Sequence, residues 1–323
     1  MSTFIDAPPR PIPAPIPLLR QRSAATRLDR AAQRGEVLRV SPGVYVEAGA
    51  YARLTAWDRY LTRVHAAAAT RPDAVFGWES AAALLGLPVF GHPREVHILS
   101  TAIGTSRTAQ GVREHATADH RTVVRVGGIA VTAVADTVVD LCRARHNAIG
   151  VAVADAALRL EPGLDRGTLA AINEARLSSR GRRSARWAID RADARAETVL
   201  ESVSRCTIEW LGFPLPELQV EVHQGSRTRR LDVFWPEERV GGEADGLVKY
   251  DGSIGDPRQN LIDEKAREDG LRRVLNGFAR WGWQDLREPE RLAQILRDAG
   301  LRQIRPVESL PLATLGPALS GAA

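Results

Sequence analysis

The stretch RLDVFWPEERVGGEAD, residues 230–245, leaves few folds open to a chain that carries it. Asp232 stands among Leu231, Val233 and Phe234 in an otherwise apolar strand. Burying a bare carboxylate there is unfavourable unless a cation or hydrogen bonds compensate. A Pro-Glu-Glu turn at 236–238 folds the chain back into a second strand, on which Glu243 and Asp245 lie two apart and project from one face. The hairpin brings that face alongside Asp232. Three converging carboxylates repel one another, which favours a hard cation with oxygen ligands. Asp232, Glu243 and Asp245 are therefore expected to bind Mg²⁺, or Mn²⁺ in its place.

Lys249 follows four residues after Asp245, in a chain where lysine occurs only at 249 and 265 among 44 basic residues. A compact ammonium there can orient a nucleophilic water or meet a phosphoryl oxygen, where a planar guanidinium cannot. The alternative is an ordinary surface lysine. Glu197 and Glu201 share a face of the preceding helix at i and i+4, and either can supply a fourth carboxylate. The expected order is a helix over 196–211, the strands ELQVEVH, TRRLDVFW, RVGGEAD and LVKY, and a long helix from Asp256-Pro257 to about Asn276. A strand GFARW and a helix starting at Pro289 complete an α/β domain.

Together these residues resemble the very-short-patch-repair-like endonucleases of the PD-(D/E)XK superfamily. Matched position by position, the family's helix Glu, first-strand Gln, second-strand Asp and E-x-D pair are Glu201, Gln219, Asp232, Glu243 and Asp245. Lys249 stands where relatives usually have histidine. The resemblance runs from about 196 to 300, includes EKAREDGLRRVLNGFARWGWQDL, and implies a Mg²⁺-dependent endodeoxyribonuclease. Its catalytic residues would be Glu201, Asp232, Glu243, Asp245 and Lys249. The strand reads E-x-D where the superfamily has E-x-K, and Gly241-Gly242 stands where that strand is normally more apolar.

The first half reads differently. Six prolines within residues 8–17 predict a disordered or polyproline arm over 1–19. Arg20–Arg34 is helix-permissive and stopped by Gly35, and EVLRVSPGVYVEAG folds as a hairpin on Ser-Pro-Gly. Helix plus hairpin is the end of a winged helix. Arg22, Arg27, Arg30, Arg34 and Arg39 are then the DNA-contacting surface, with a solvated arginine face as the alternative. Residues 51–177 alternate helices and short strands as a mixed α/β domain without a catalytic constellation. His92, His97, His115 and His120 lack a repeated metal spacing there. The Arg-rich stretch 178–195 is expected as a linker, 196–303 as the nuclease-like domain and 304–323 as a flexible tail.

GEVLRVSPGVYV, FGWESAAALLGLP, PREVHIL and GGIAVTAVADTVVDLCR, within roughly 20–145, resemble the AbiEi antitoxin family of type IV toxin-antitoxin systems. That resemblance implies a winged-helix DNA-binding segment followed by an antitoxin-like domain, with DNA and a cognate toxin as partners. The fold class expected for the whole chain is mixed α/β, ending in a restriction-endonuclease-like domain. Cys142 and Cys206 lie far apart and read as buried hydrophobes rather than ligands or a disulfide. No window approaches a membrane span and the first twenty residues lack a signal-peptide core, so a cytoplasmic protein is expected. The competing function is a non-catalytic antitoxin or transcriptional regulator in which the nuclease-like fold only binds nucleic acid.

Overall fold

The computed structural model describes residues 12–20, 27–100, 104–224, 227–245 and 274–320. Arg22, Lys249, the LVKY strand and most of the helix expected over 256–276 lie outside them. The fold is mixed α/β, with three-, six- and four-stranded sheets.

Near the N-terminus β1 (Leu19–Arg20), α1 (Arg27–Gln33), β2 (Val37–Ser41) and β3 (Val44–Glu47) make a helix and a three-stranded sheet in the order β1-β3-β2. Arg20, expected to open the helix, instead lies in β1 and donates to the Ala69 carbonyl at 2.7 Å. Part of the Pro-rich arm is docked: the Ile12 N–H donates to Leu84 O at 3.1 Å, and the Ile12 carbonyl meets His65 Nε2 at 2.7 Å.

After α2 (Ala48–Arg53) comes α3 (Ala56–Thr70), capped by Thr55, whose hydroxyl accepts from the Asp58 N–H at 3.1 Å. The strands β4 (Val75–Phe76), β5 (Val96–Leu99), β6 (Arg107–Ala109), β7 (Val112–His115), β8 (Val123–Val126) and β9 (Ile129–Thr132) form a mixed sheet, with α4 (Trp78–Leu85) between β4 and β5. A helical layer follows: α5 (Val134–Ala144), α6 (Asn147–Leu160), α7 (Arg166–Ala175) and α8 (Arg182–Asp190).

The α8 helix corrects the linker expectation for 178–195. Its arginines read as solvated, yet Ala185, Ala188 and Ile189 are buried against α5, α6 and α7. Next come α9 (Val199–Trp210), β10 (Glu217–Gln224), β11 (Arg227–Trp235), β12 (Val240–Ala244) and β13 (Gly277–Trp281), then α10 (Trp283–Arg287), α11 (Pro289–Asp298) and α12 (Ser309–Ser320). The sheet order is β10-β11-β12-β13, antiparallel except for the parallel β12–β13 pair. The expected flexible tail is instead largely α12, whose Leu315 and Leu319 are buried. The chain between α11 and α12 is also tied down, with Ile304 N–H donating to Gly212 O and Glu308 N–H to Trp210 O.

One apolar core runs from Tyr60 through α6 and α9 to Leu319. Trp210, Trp235 and Trp281 are fully buried in it, and burial stabilises each large apolar side chain by roughly 1.5–3 kcal/mol. Cys142 and Cys206 are buried and unpaired with each other, as expected. Among the described residues no helix is long and apolar enough to cross a membrane.

Candidate functional site

The four-stranded sheet carries its polar side chains in one row. Leu218↔Val233 and Val220↔Leu231 pair on β10–β11, which sets Gln219 opposite Asp232. Val233↔Gly242 pairs on β11–β12, so the next step sets Asp232 opposite Glu243. On the parallel side Glu243 pairs directly with Arg280. Neighbours across a sheet share a face, so Gln219, Asp232, Glu243 and Arg280 form a polar row through an apolar sheet.

Helix α9 lies against this row. Thr198 caps it by accepting from the Glu201 N–H at 3.1 Å, while the Glu201 carboxylate accepts from the Glu197 N–H at 3.0 Å and from Gln219 Nε2 at 2.9 Å. Thr198 caps the helix through its side chain, while Glu201 reaches back one residue beyond the cap to the Glu197 N–H, and this fixes which of the two acids is internal. Glu201 is buried, whereas Glu197 pairs outside with Arg230 at 2.8 Å. Gln219 meets Glu201 from a left-handed backbone conformation, φ 54°, which costs a non-glycine residue about 1 kcal/mol or more.

Asp232 is half-buried, and its Oδ2 accepts from the Ala244 N–H at 2.9 Å. Desolvation pushes its carboxyl up to about 6, with the charges of Glu201, Glu243 and Asp245 adding to the rise and the Ala244 N–H opposing it. Glu201, Glu243 and Asp245 therefore lie near enough to act on Asp232. Arg280 holds two of them: Nη2 lies 2.7 Å from Glu243 Oε2 and Nε 2.8 Å from Asp245 Oδ2.

Gly241 and Gly242 are explained by packing. A Cβ at Gly242 would come within 2.7 Å of Val233 and 2.8 Å of the Trp281 ring, and one at Gly241 within 2.7 Å of Leu275. Only glycine lets β12 lie flat between these side chains.

Asp245 opens onto a cleft of about 1,100 Å³, also lined by Trp57, Phe90, Val199, Trp283 and Leu319. Both halves of the chain wall it. The oxygen-only donors fit a hard cation such as Mg²⁺ in chemistry. They are not yet gathered to hold one: among the described residues no three His, Cys, Asp or Glu side chains form a ligating group.

Arg27, Arg30, Arg34 and Arg39 are all exposed, and positions 27, 30 and 34 follow one helical face. Arg34 is engaged by Glu36 at 2.6 and 3.0 Å. The histidines divide as a structural role requires. His92 and His120 are exposed, while His97 Nδ1 meets His115 Nε2 at 2.9 Å and His115 stacks on Trp78 at 3.8 Å. Burial pushes both of these down, His115 to about 3. Beside them Glu79 pairs with Arg145 through both carboxylate oxygens.

No family model matches the chain, and no solved structure matches it. Two mycobacterial proteins do, the uncharacterized proteins Rv2248 and MT2308 of Mycobacterium tuberculosis strains H37Rv and CDC 1551. Each is 30% identical over 244 residues, covering 74% of this chain and 83% of the relative. The chain belongs to their family. The names of these mycobacterial relatives assign no activity.

Arg280 is the site residue to which the sequence assigned no role, although the endonuclease resemblance implies an arginine-bearing strand at GFARW. Its signal was present: one charge in the apolar strand GFARW, the pattern that marked Asp232.

Proposed function

We propose that this chain is a cytoplasmic DNA-acting protein whose C-terminal sheet is a divalent-metal-dependent nuclease site and whose N-terminal helix and hairpin grip the duplex. One observation carries the reading. Asp232 sits half-buried beside three further acids, with burial and their charges pushing its carboxyl up to about 6, a charge arrangement that a divalent cation resolves. The resemblance to very-short-patch-repair-like endonucleases supports the same residues, and the AbiEi resemblance supports a setting in toxin-antitoxin or phage defence, with a cognate toxin as a further partner.

Asp232 and Glu243 would hold Mg²⁺ or Mn²⁺, with Asp245 at the cleft edge. The ion, when bound, would supply charge neutralisation at a phosphodiester and an activated water. Glu201 keeps Gln219 and the end of α9 fixed, so the acids keep their spacing without direct contact from Glu201 to the substrate. Lys249 is proposed to align water or meet the developing charge. Arg27, Arg30 and Arg39, with Arg22, would contact phosphates, Arg34 being shared with Glu36.

A non-catalytic regulator is the second reading, favoured by the pairing of Arg280 with Glu243 and Asp245, which already offsets one of their two negative charges. Supercoiled plasmid incubated with the full chain and Mg²⁺ or Mn²⁺ separates the two. Nicking or linearisation by the parent, lost in Glu243→Gln, is expected. A parent that cuts neither DNA nor RNA leaves the regulator.

A further inference from the structure

Strand β13 is apolar except at Arg280, whose neighbours Phe278, Ala279 and Trp281 are buried. The guanidinium reaches across the parallel ladder to Glu243, its partner in register, and spans on to Asp245 two residues along the same face. The guanidinium is broad enough to meet both carboxylates at this spacing, by hydrogen bond to Glu243 and by charge to Asp245, where a lysine would meet one. Glu243 is buried at 4% exposure, so an ion pair there is screened little by solvent. Asp232, next along the row, pairs with no arginine among the described residues and accepts from the Ala244 N–H.

The geometry points to Arg280 as an internal counter-ion that guards the carboxylate row. It holds Glu243 and Asp245 in place when no cation is bound, and it must release at least one of them before a divalent cation is held. This rests on the metal-site reading above. Arg280 is a positioning residue here and touches no substrate. Guanidinium and divalent cation compete for the same oxygens, so removing the guanidinium should strengthen cation binding rather than weaken it. A merely structural arginine would do the reverse, because its loss would loosen the ligands.

The test is calorimetric titration of Mn²⁺ into the metal-free full chain, for parent and Arg280→Gln, with circular dichroism to establish folding. The variant is expected to bind Mn²⁺ about tenfold more tightly, the scale of one uncompensated buried charge pair. Arg280→Lys keeps a positive charge but cannot bridge both acids. It carries the same test should the neutral variant fail to fold, with tighter binding again expected. Equal or weaker binding by a folded variant, with the parent binding Mn²⁺, would overturn the counter-ion role and leave the metal reading standing. No binding by parent or variants at millimolar Mn²⁺ would remove both.

Discussion

At the residue scale, the site turns on a few charged groups placed where apolar ones are expected. Asp232 and Arg280 each interrupt an apolar strand, and each is compensated in a different way. Arg280 is shared between two carboxylates, whereas Asp232 receives a single backbone N–H and faces three like charges. A folded-state pKa raised to about 6 from 3.8 has a definite sign. The protonated form favours the fold, so this contribution is fully present below pH 3.8 and is lost as pH rises through 6. Asp232→Asn removes the charge that becomes unfavourable. In metal-free buffer its gain in Tm over the parent should be larger at pH 8 than at pH 5, and smallest near pH 3.5. Thermal melts at those three values check this, and a pH-independent difference would show that the acid is not strained by its neighbours.

At the scale of elements, the glycines of β12 decide how closely the sheet packs. The Cβ of Gly242→Ala would meet Val233 and the Trp281 ring well inside contact distance. It should cost about 1–3 kcal/mol through overpacking, read as a lower urea midpoint with the slope unchanged, and a neutral substitution would mean that β12 is free to shift. The elements themselves were largely legible. Thr55 and Asp165, residue types that mark helix starts in a sequence, cap α3 and α7, and the short β-branched runs of the first half are β5, β7, β8 and β9. Two elements were hidden by their chemistry. Two of the arginines that made 178–195 look solvated are paired at their tips, Arg186 with Glu174 and Arg191 with Glu209, and the apolar signal beneath them is narrow, an alanine-isoleucine stripe and Trp187, which stacks on Trp210. The C-terminal helix contains two prolines, Pro311 and Pro317. Pro311 falls in the first turn of α12, where no intrahelical donor is lost, and the burial of Leu315 and Leu319 holds the rest.

At the scale of the whole molecule, both halves share one core, because α6 packs directly on α9. The seam is polar as well as apolar. Arg205 pairs with buried Asp155 at 2.6 Å, and Asp155 also accepts from the Asp193 N–H at 2.7 Å. Sequence patterning located the acids but not this joint, since two helices that are amphipathic in the same way give no sign that they face each other. Nor did it place Arg280 at the end of the row beside Glu243, because a parallel pair such as β12–β13 is joined by a long connection and its register is not written in any turn. The joint matters for function: Trp57 and Phe90 from the first half wall the cleft onto which Asp245 opens. DNA or a partner engaged by the first half would lie on the same body as the acids. The central claim is that the acidic row is a cation site. It is tested most directly by thermal unfolding of the full chain across a Mn²⁺ series, for parent and Asp232→Asn. A cation site built on Asp232 predicts a parent Tm that rises with Mn²⁺ concentration and a variant Tm that does not. Equal rises in the two proteins, or no rise in the parent, would contradict it.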